Sequence, residues 1–329
     1  MNVLSLFDGI SCARVALDNA GIPVNKYYAC EIEKNAIKLA QKNYTDTISL
    51  GSVVDFKTDM ITEPIDLLIG GSPCQDLSIA KKDRQGLKGD RSSLFFEYVR
   101  IKKEINPKYF ILENVASMRN EDRNIISGIM GCEPVLFNAS LVSAQCRKRY
   151  FWTNIQFDLP DDRGILLKDI LQPDADVDAK MNIKQVLNTT AQRGINETKK
   201  LGYVGSKDHQ AKRVYSENGK LPALNSICNS LVKVGHIGNS NSQANRVYSP
   251  EGKSVTLSAL GGGLGAKCGL YQMDTKIRKL TPIECERLQS LPDNYTEGIA
   301  ITNRYKCLGN AFNVEVISHI LKNLRVEVV

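Results

Sequence analysis

Short apolar runs alternate with amphipathic stretches through the first half of the chain. The runs have the length of buried strands, and the stretches between them carry apolar residues at helical spacing. This alternation predicts an α/β fold with a mixed, mostly parallel sheet flanked by helices, of the type that binds nucleotides. The predicted strands are residues 3–7, 27–30, 65–69, 109–112 and 150–155.

The predicted helices begin and end at recognisable residues. Ser11 is a candidate N-cap for a helix that ends at Gly21, and glycine commonly follows a helix C-terminus. A helix is also expected to begin at Thr281. The last predicted helix, residues 314–324, is expected to return to the sheet.

Polar residues follow the predicted strands, where open α/β sheets bind their ligands. Asp8-Gly9 follows the first strand, and Glu31 follows the second about 20 residues later, where a carboxylate can accept both hydroxyls of a ribose. The turn lacks the full G-x-G-x-x-G pattern that clamps a pyrophosphate, which favours an adenosine without a diphosphate. A plain surface acid is the alternative for Glu31.

Cys74 is the candidate nucleophile. It follows the apolar run 65–69, and Pro73 holds the backbone that enters it in one shape. Glu113, just after the strand 109–112, is placed to give or share a proton with a substrate nearby. An ordinary core thiol is the alternative for Cys74, because free cysteine is among the most buried residue types.

Two arginines, Arg147 and Arg149, come just before the last predicted strand of the sheet. Their spacing of two on an extended chain predicts that both side chains point the same way. They could then hold Glu113 and an anionic ligand together. A strand-end ion pair without a ligand is the alternative.

Composition excludes several classes of protein. An apolar content of 42% and a charged content of 24% are typical of globular proteins. No apolar run is long enough to span a bilayer, and the first residues do not have the pattern of a signal peptide. The nine cysteines include no C-x-x-C pair, which argues for a reducing cytoplasm and against a disulfide framework or a cysteine-built zinc site. The chain has only three histidines, which argues against a metal site built from histidine.

The net charge of +7 is unevenly distributed along the chain. Residues 183–279 hold fifteen Lys/Arg and five Asp/Glu, a balance of +10, which leaves the remainder at −3. A polyanion-binding module joined to a catalytic one would have this distribution. A solvated basic surface is the alternative.

The basic part contains an internal repeat. The segment 210–220 recurs as 243–253 at an offset of 33, and both copies contain Arg-Val-Tyr-Ser before a glycine turn. Strands joined by tight turns are therefore expected, as in a small antiparallel β domain. Arginine fits the O6/N7 edge of guanine with two hydrogen bonds, so Arg213 and Arg246 are candidate base readers. A β-ribbon with solvated arginines is the alternative.

Several motifs together resemble the DNA (cytosine-5) methyltransferases of bacteria and phages. They occur in that family's order and spacing: Phe7-Asp8-Gly9, Pro73-Cys74-Gln75, Glu113-Asn114-Val115, Gln145-x-Arg147-x-Arg149 and Gly309-Asn310. The resemblance implies a Rossmann-like S-adenosylmethionine-dependent methyltransferase sheet with a smaller β-rich target-recognition domain. The implied parts are a catalytic and cofactor-binding domain (1–180 with 303–329), a target-recognition domain (181–277) and a hinge helix with connector (278–302).

The resemblance also implies a role for each catalytic residue. Cys74 would add as a thiolate to C6 of a cytosine swung out of the duplex, which makes C5 nucleophilic enough to take a methyl group. Glu113 would hydrogen-bond N3 and the exocyclic amine of the ring. Arg147 and Arg149 would orient the base and lower the pKa of the Cys74 thiol.

The implied cofactor is S-adenosylmethionine, converted to S-adenosylhomocysteine, with no metal. Two positions depart from the family pattern: Cys12 is expected to crowd the methionine end, and Ser52 replaces the usual acid, for which Asp55 is a candidate substitute. The implied cofactor-binding residues are Phe7, Asp8, Gly9, Ile10, Ser11, Cys12, Glu31, Ile32, Ser52, Val53, Pro73, Leu94 and Asn310.

The implied partner is double-stranded DNA, with residues 75–92 closing as a basic lid over the flipped base. The second repeat copy resembles the recognition segment of small bacterial enzymes that methylate within GCGC. The implied DNA-binding residues are Gln75, Ser78, Lys81, Lys82, Arg84, Arg213, Gln243, Arg246, Thr256, Gly262 and Gly263.

The expected setting is the cytoplasm of a bacterium or of a phage-infected host. The enzyme is expected to act as a monomer, either beside a restriction endonuclease with the same site or alone. Three alternatives stay open: a transfer RNA cytosine-5 methyltransferase, a catalytically silent DNA-binding protein and a nicotinamide-dependent oxidoreductase. The large repeat-bearing insert argues against the transfer RNA enzyme, and the intact catalytic set argues against the silent DNA-binding protein. The missing diphosphate loop argues against the oxidoreductase.

Overall fold

The computed structural model describes residues 1–73, 94–173, 175, 181–182, 200–203, 213–215, 231–236, 245–259, 265, 267–273 and 276–324. Its helices are α1 (Cys12–Asn19), α2 (Lys34–Asn43), α3 (Leu94–Ile105), α4 (Asn120–Met130), α5 (Pro282–Leu288), α6 (Ile301–Asn310) and α7 (Val314–Leu321). Its strands are β1 (Asn2–Leu6), β2 (Lys26–Cys30), β3 (Ile48–Gly51), β4 (Leu67–Gly71), β5 (Tyr109–Val115), β6 (Val135–Asn138), β7 (Lys148–Thr153), β8 (Met181–Asn182), β9 (Lys200–Tyr203), β10 (Arg213–Tyr215), β11 (Lys233–His236), β12 (Arg246–Tyr248), β13 (Leu270–Met273) and β14 (Lys276–Arg278).

Seven strands form one sheet in the order β3-β2-β1-β4-β5-β7-β6. The pairs among β1 to β5 are parallel, whereas β7 runs antiparallel to both β5 and β6. The strand order reverses between β1 and β4, where open α/β sheets place their ligands. The predicted mixed, mostly parallel sheet is confirmed.

Both faces of this sheet are buried, which explains why its strands are apolar without alternation. Val3 and Ile69 belong to one hydrophobic cluster, and their neighbours Leu4 and Leu68 belong to the other. Successive residues of a strand point to opposite faces, so a run of apolar residues supplies both clusters.

Helix α7 packs against α1, so the C-terminal segment returns to the sheet as predicted. Asn313 caps its start by accepting a hydrogen bond from the Val316 amide at 3.2 Å. The helix ends at Leu321, earlier than predicted. Its position matters for the site because it follows directly after α6, which ends at Asn310.

The start of α1 differs from the prediction. Ser11 occupies the N-cap position but makes no side-chain cap, because its φ of 58° is left-handed rather than extended. Its hydroxyl donates instead to the Asp8 carboxylate at 2.6 Å. The predicted helix that begins after Thr281 has a complete capping box formed with Glu284.

The repeat forms two equivalent hairpins. Arg213 of β10 lies opposite Tyr203 of β9, and Arg246 of β12 lies opposite His236 of β11. Strands β11 and β12 lie 33 residues after β9 and β10, the same offset as in the sequence repeat. The register irregularity occurs at the same place in both hairpins. The strands predicted at both Arg-Val-Tyr segments are confirmed. The second hairpin continues through β13, β14 and β8 into a five-stranded sheet.

Two further findings concern the described residues alone. None of the helices found there combines the length and apolar character needed to cross a membrane. Six cysteines there are free thiols.

Candidate active site

The candidate site lies where β4 and β5 end side by side. Gly71, the last residue of β4, pairs with Glu113 of β5. Beyond it, Asn114 Nδ2 donates to Ser72 Oγ at 3.1 Å, and this buried contact holds the backbone that leads to Pro73. Cys74, the candidate nucleophile, lies outside the described residues, so its prediction is not tested.

Glu113 forms a short ion pair with Arg149. Arg149 Nε lies 2.6 Å from Glu113 Oε1, and the two side chains are only 16% and 12% exposed. A β-carbon at Gly71 would lie 2.9 Å from Glu113 Oε2 and 2.8 Å from the Phe312 ring. Glycine at position 71 is therefore what lets the carboxylate lie against the end of β4.

Arg147 does not share this carboxylate. It is buried, and its guanidinium donates to the carbonyl of Ala311 at 2.9 Å and to that of Gly309 at 3.4 Å. Arg147 precedes β7, which begins at Lys148, and both arginines line one small cavity with Glu113. Within the part of the chain that the structure describes, Arg149 forms the ion pair with Glu113, whereas Arg147 fastens the end of α6.

The turn after β1 has an unusual backbone. Phe7, Gly9 and Ser11 all have positive φ, between 56° and 63°. The non-glycine residues among them are held in a conformation that costs on the order of 1 kcal/mol each. The buried Asp8 carboxylate holds the turn by accepting hydrogen bonds from Ser11 Oγ and Tyr27 Oη, each at 2.6 Å. The Asp8 side chain is thus occupied within the protein, and the amides of Asp8, Gly9 and Ser11 also donate within it.

Burial raises the pKa of Asp8 above its ordinary value of 3.8, against the opposing effect of its hydroxyl donors. Between 3.8 and the raised value the folded state keeps a proton that the unfolded state has released, so stability falls as pH rises through this window. Asp8→Asn cannot titrate. Its free energy of unfolding, relative to the wild type, is expected to rise as the pH increases above 3.8. Urea unfolding at a series of pH values above 3.8 measures the difference, and a pH-independent difference would contradict the assignment.

Glu31 lies at the end of β2, facing the same turn. Its carboxylate accepts hydrogen bonds from the amides of Gly9, Ile32 and Glu33, each at 2.8 Å. An ionised carboxylate has about four acceptor positions, so these three bonds leave room for a ribose hydroxyl. Beside it Ile32 is 73% exposed, an apolar surface on which a purine can stack. These residues fit the adenosine part of the expected cofactor.

Three expected cofactor residues have their side chains in the core: Ile10, Cys12 and Val53. Ile10 and Cys12 are each 1% exposed, and burial raises the pKa of the Cys12 thiol. The expectation that Cys12 crowds the methionine end stays a prediction. Asn310 is exposed at the end of α6, and Leu94 is half-buried at the start of α3.

The segment around Ser52 makes its contacts within the protein. Ser52 Oγ accepts a hydrogen bond from the Val54 amide at 3.2 Å, and Asp55 is exposed. Val53 is buried, and its carbonyl accepts from Arg100 at 3.1 Å. The structure leaves Asp55 accessible to a ligand, as a substitute for the missing acid requires.

Few of the expected DNA contacts are described. Arg246 is half-buried on β12, and the Thr256 hydroxyl, expected to face DNA, donates to the Cys146 carbonyl at 2.5 Å. Arg213 is described only as a strand residue of β10. Outside the described residues lie the lid 75–92, with Gln75, Ser78, Lys81, Lys82 and Arg84, and also Gln243, Gly262 and Gly263.

Sequence reasoning missed the packing role of two residues that the structure makes prominent. Lys253 was placed with the basic repeat but is 1% exposed. Gly309 lies so close to the backbone of Ala259 that a β-carbon would come within 2.4 Å of its amide nitrogen. The Gly-Lys pair common to both repeat copies carries no sign of burial. Neither position could be recognised before the segments around it were placed in space.

Comparisons with known proteins agree with the overall fold described above. The chain is 28% identical to the type II methyltransferase M.HhaI of Haemophilus parahaemolyticus, over 98% of this chain and 94% of that protein. It is 27% identical to the orphan methyltransferase M.SPBetaI of Bacillus phage SPbeta, over 98% and 97% of the two chains. The fold is similar to the crystal structure of the S. pombe Dnmt2 methyltransferase, with a TM-score of 0.60, 16% identity and coverage of 98% and 97%. A structure of the Entamoeba histolytica methyltransferase EhMeth gives a TM-score of 0.64 at 13% identity, with coverage of 98% and 97%.

The model of one protein family, described as C-5 cytosine-specific DNA methylase, matches residues 1–325. The match includes the strand ends that carry Glu31 and Glu113 and the segment that carries Arg149. Since it spans nearly the whole chain, this protein belongs to the C-5 cytosine-specific DNA methylase family.

Proposed function

We propose that the protein transfers a methyl group from S-adenosylmethionine to C5 of cytosine in double-stranded DNA, through a covalent bond between Cys74 and C6. The observation that carries this proposal is the Glu113–Arg149 ion pair of 2.6 Å, at the end of β5 beside the strand that leads to Cys74. A carboxylate held there by one arginine can bind the polar edge of a pyrimidine while the thiolate attacks its ring.

In the proposed reaction the Cys74 thiolate bonds to C6. The electron pair of the C5–C6 double bond moves to C5, which then forms a bond to the methyl group. The cofactor supplies that methyl group on a sulfonium, which makes it electrophilic. Glu113 gives a proton to N3 during the addition and takes it back during the elimination. S-adenosylhomocysteine leaves once it has lost the methyl group. Water then takes the C5 proton, and the electron pair of that C–H bond restores the C5–C6 double bond as the thiolate leaves.

The proposed cofactor site is the turn after β1 together with the ends of β2 and α6. Glu31 binds the ribose, Ile32 stacks on the adenine, and the backbone of Phe7 to Gly9 faces the methionine part. Ser52, Val53, Pro73, Leu94 and Asn310 complete the site. Asp8, Ile10 and Cys12 support this turn from inside, because their side chains are buried.

The target base is proposed to leave the duplex, since base stacking otherwise hides C6. Residues 75–92 would close over it, and the basic residues 183–279 would bind the DNA backbone. Domain boundaries at 180, 277 and 302 remain part of this proposal, as does action as a monomer. A GCGC-like target, and either a restriction–modification or a solitary phage-type role, is also proposed.

Bisulfite sequencing of DNA from a host that expresses the chain tests the function directly. Protected cytosines in one short sequence context are the expected result, and the context names the target. Methyl transfer to duplex DNA and to transfer RNA should be compared with the purified protein. Transfer to the RNA alone, or to neither, would overturn the proposal.

Arg246 is proposed to read a base beside the target. Arg246→Ala is expected to reduce the preference in kcat/KM for the cognate duplex over a singly substituted one by about 1–3 kcal/mol, the energy of one bidentate contact. Arg123→Ala, a half-buried residue of α4 outside the proposed site, is the control and should leave the preference unchanged. An unchanged preference in Arg246→Ala would assign reading to another residue.

Arg213 occupies the equivalent position in the first hairpin, which makes it the proposed second contact. Arg213→Ala distinguishes two kinds of contact in the same assay. A loss of sequence preference would assign it to base reading, whereas a uniform loss of affinity with a smaller salt dependence would assign it to phosphate.

A further inference from the structure

The segment that follows the second hairpin is hydrogen-bonded to residues 144–147, which lead into Arg149 of the active site. Residues 253–259, called here the coupling segment, run beside residues 144–147. The Cys146 amide donates to the Ser254 carbonyl at 2.8 Å, the Ser254 amide donates to the Ala144 carbonyl at 2.7 Å, and Gln145 and Ser254 form a parallel bridge. These backbone bonds fix the coupling segment to the chain that continues into Arg149.

Lys253 anchors the beginning of the coupling segment. Its side chain is 1% exposed, and its ammonium donates to the carbonyls of Ser140 at 2.7 Å and Ser143 at 3.3 Å. Asp162 lies 3.2 Å away and is half-exposed. A buried ammonium needs acceptors that stay in place, because an unsatisfied buried charge is costly. Lys253 therefore holds the segment in one position.

The other end of the coupling segment contacts the cofactor side of the site. The Thr256 hydroxyl donates to the Cys146 carbonyl, and the Leu257 carbonyl accepts from Arg147 at 3.4 Å. Ala259 lies directly on Gly309, where a β-carbon would meet its backbone at 2.4 Å. Gly309 precedes Asn310, so the same short segment contacts both the arginine segment and the end of α6.

The first repeat copy lacks part of this arrangement. It keeps the lysine, as Lys220, but has Ala223 at the position of Thr256 and Asn229 at that of Gly262. The reading strand is thus duplicated in the chain, whereas the hydroxyl that fastens the coupling segment occurs only after the second copy.

We propose that Lys253 is a positioning residue that couples DNA reading to chemistry. It holds the coupling segment so that docking of β12 on DNA places residues 145–149, and with them Arg149 and Glu113, for attack on the base. This inference rests on the proposed function. Only four residues lie between Tyr248, the end of β12, and Lys253, so movement of the hairpin is carried to the segment with little slack.

The test follows covalent adduct formation with a duplex that carries 5-fluorocytosine at the target, in the presence of S-adenosylmethionine. Lys253→Met keeps the length of the side chain and removes its charge. The rate of adduct formation is expected to fall by roughly tenfold to a hundredfold, the effect of misplacing catalytic groups by about 1 Å. The final amount of adduct and the Kd values for DNA and S-adenosylmethionine should stay within about twofold of the wild type.

A purely structural role would lower the final amount of adduct instead, in proportion to the protein that fails to fold, at an unchanged rate. That result, or a rate equal to the wild type, would overturn the proposal. Thr256→Val, which loses only the hydroxyl bond to Cys146, is expected to slow adduct formation as well. If the wild type itself forms no adduct, the proposed function fails rather than the coupling.

Lys168→Met is the matched control. Lys168 forms an ion pair of 2.6 Å with Glu251, close to Lys253 in the chain, but both partners are exposed. Exposed pairs contribute little, and this one does not touch the coupling segment. Its loss should leave both the rate and the amount of adduct unchanged, and a slower rate would show that any lysine near this turn has the same effect.

Discussion

Cys74→Ser is expected to abolish methyl transfer, with turnover at least about a thousandfold below the wild type. A thiolate is formed readily near neutral pH, whereas a serine hydroxyl is not ionised there and is a much weaker nucleophile. Without the bond to C6, C5 does not become nucleophilic enough to accept a methyl group. Binding of S-adenosylmethionine should persist, since the proposed cofactor residues are unchanged.

The measurement is transfer of labelled methyl to duplex DNA, with equilibrium dialysis for the cofactor. With 5-fluorocytosine at the target, the wild type should form a denaturant-stable adduct that maps to Cys74, because fluorine at C5 prevents the final loss of a proton. Cys132→Ser, a free and half-buried thiol after α4, is the control and should retain activity. An adduct on another cysteine, or turnover in Cys74→Ser, would remove Cys74 from its role.

Glu113→Gln is expected to lower kcat by about a hundredfold to ten-thousandfold, the usual range for a positioned acid or base. The amide cannot carry the negative charge that stabilises a protonated N3. It also leaves the largely buried Arg149 without its carboxylate at 2.6 Å, so the arginine is no longer held against the ring. The loss should be in kcat more than in the Kd for DNA.

Glu315→Gln provides the comparison. Glu315 pairs with Arg163 at 2.8 Å, but that pair is partly exposed and belongs to no part of the proposed site. Activity close to the wild type is expected there. Single-turnover kinetics with saturating DNA would separate chemistry from binding, and an unchanged single-turnover rate in Glu113→Gln would contradict its assignment.

Much of the fold could be predicted because it depends on local patterns. Strands β1, β2, β4 and β5 are apolar runs close to those predicted. Glu31, which follows β2, and Glu113, in the last part of β5, reach the same edge of the sheet by its parallel order. The repeat predicted strands at both Arg-Val-Tyr segments, and the structure extends its equivalence to the register of the preceding strands. The identity and spacing of the motifs indicated the family from the sequence alone.

Side-chain direction at the strand ends was less predictable. The spacing predicted that Arg147 and Arg149 could both hold Glu113, yet among the described residues Glu113 pairs with Arg149, while Arg147 donates to the Ala311 carbonyl. Asp8 follows β1 as a ligand-binding acid would, but Tyr27 and Ser11 take up its carboxylate inside the protein. In each case a partner outside the local pattern decided the outcome.

The sequence by itself determined strands β1, β2, β4 and β5, the strand-end acids and the repeat, because these follow from periodicity and residue type within short windows. Only the tertiary structure decided that Lys253 is an internal anchor and not a surface charge. Its acceptors, Ser140 and Ser143, are more than a hundred residues away in the chain. Whether a lysine is solvated or buried depends on carbonyls that only folding brings to it, and no local pattern records them.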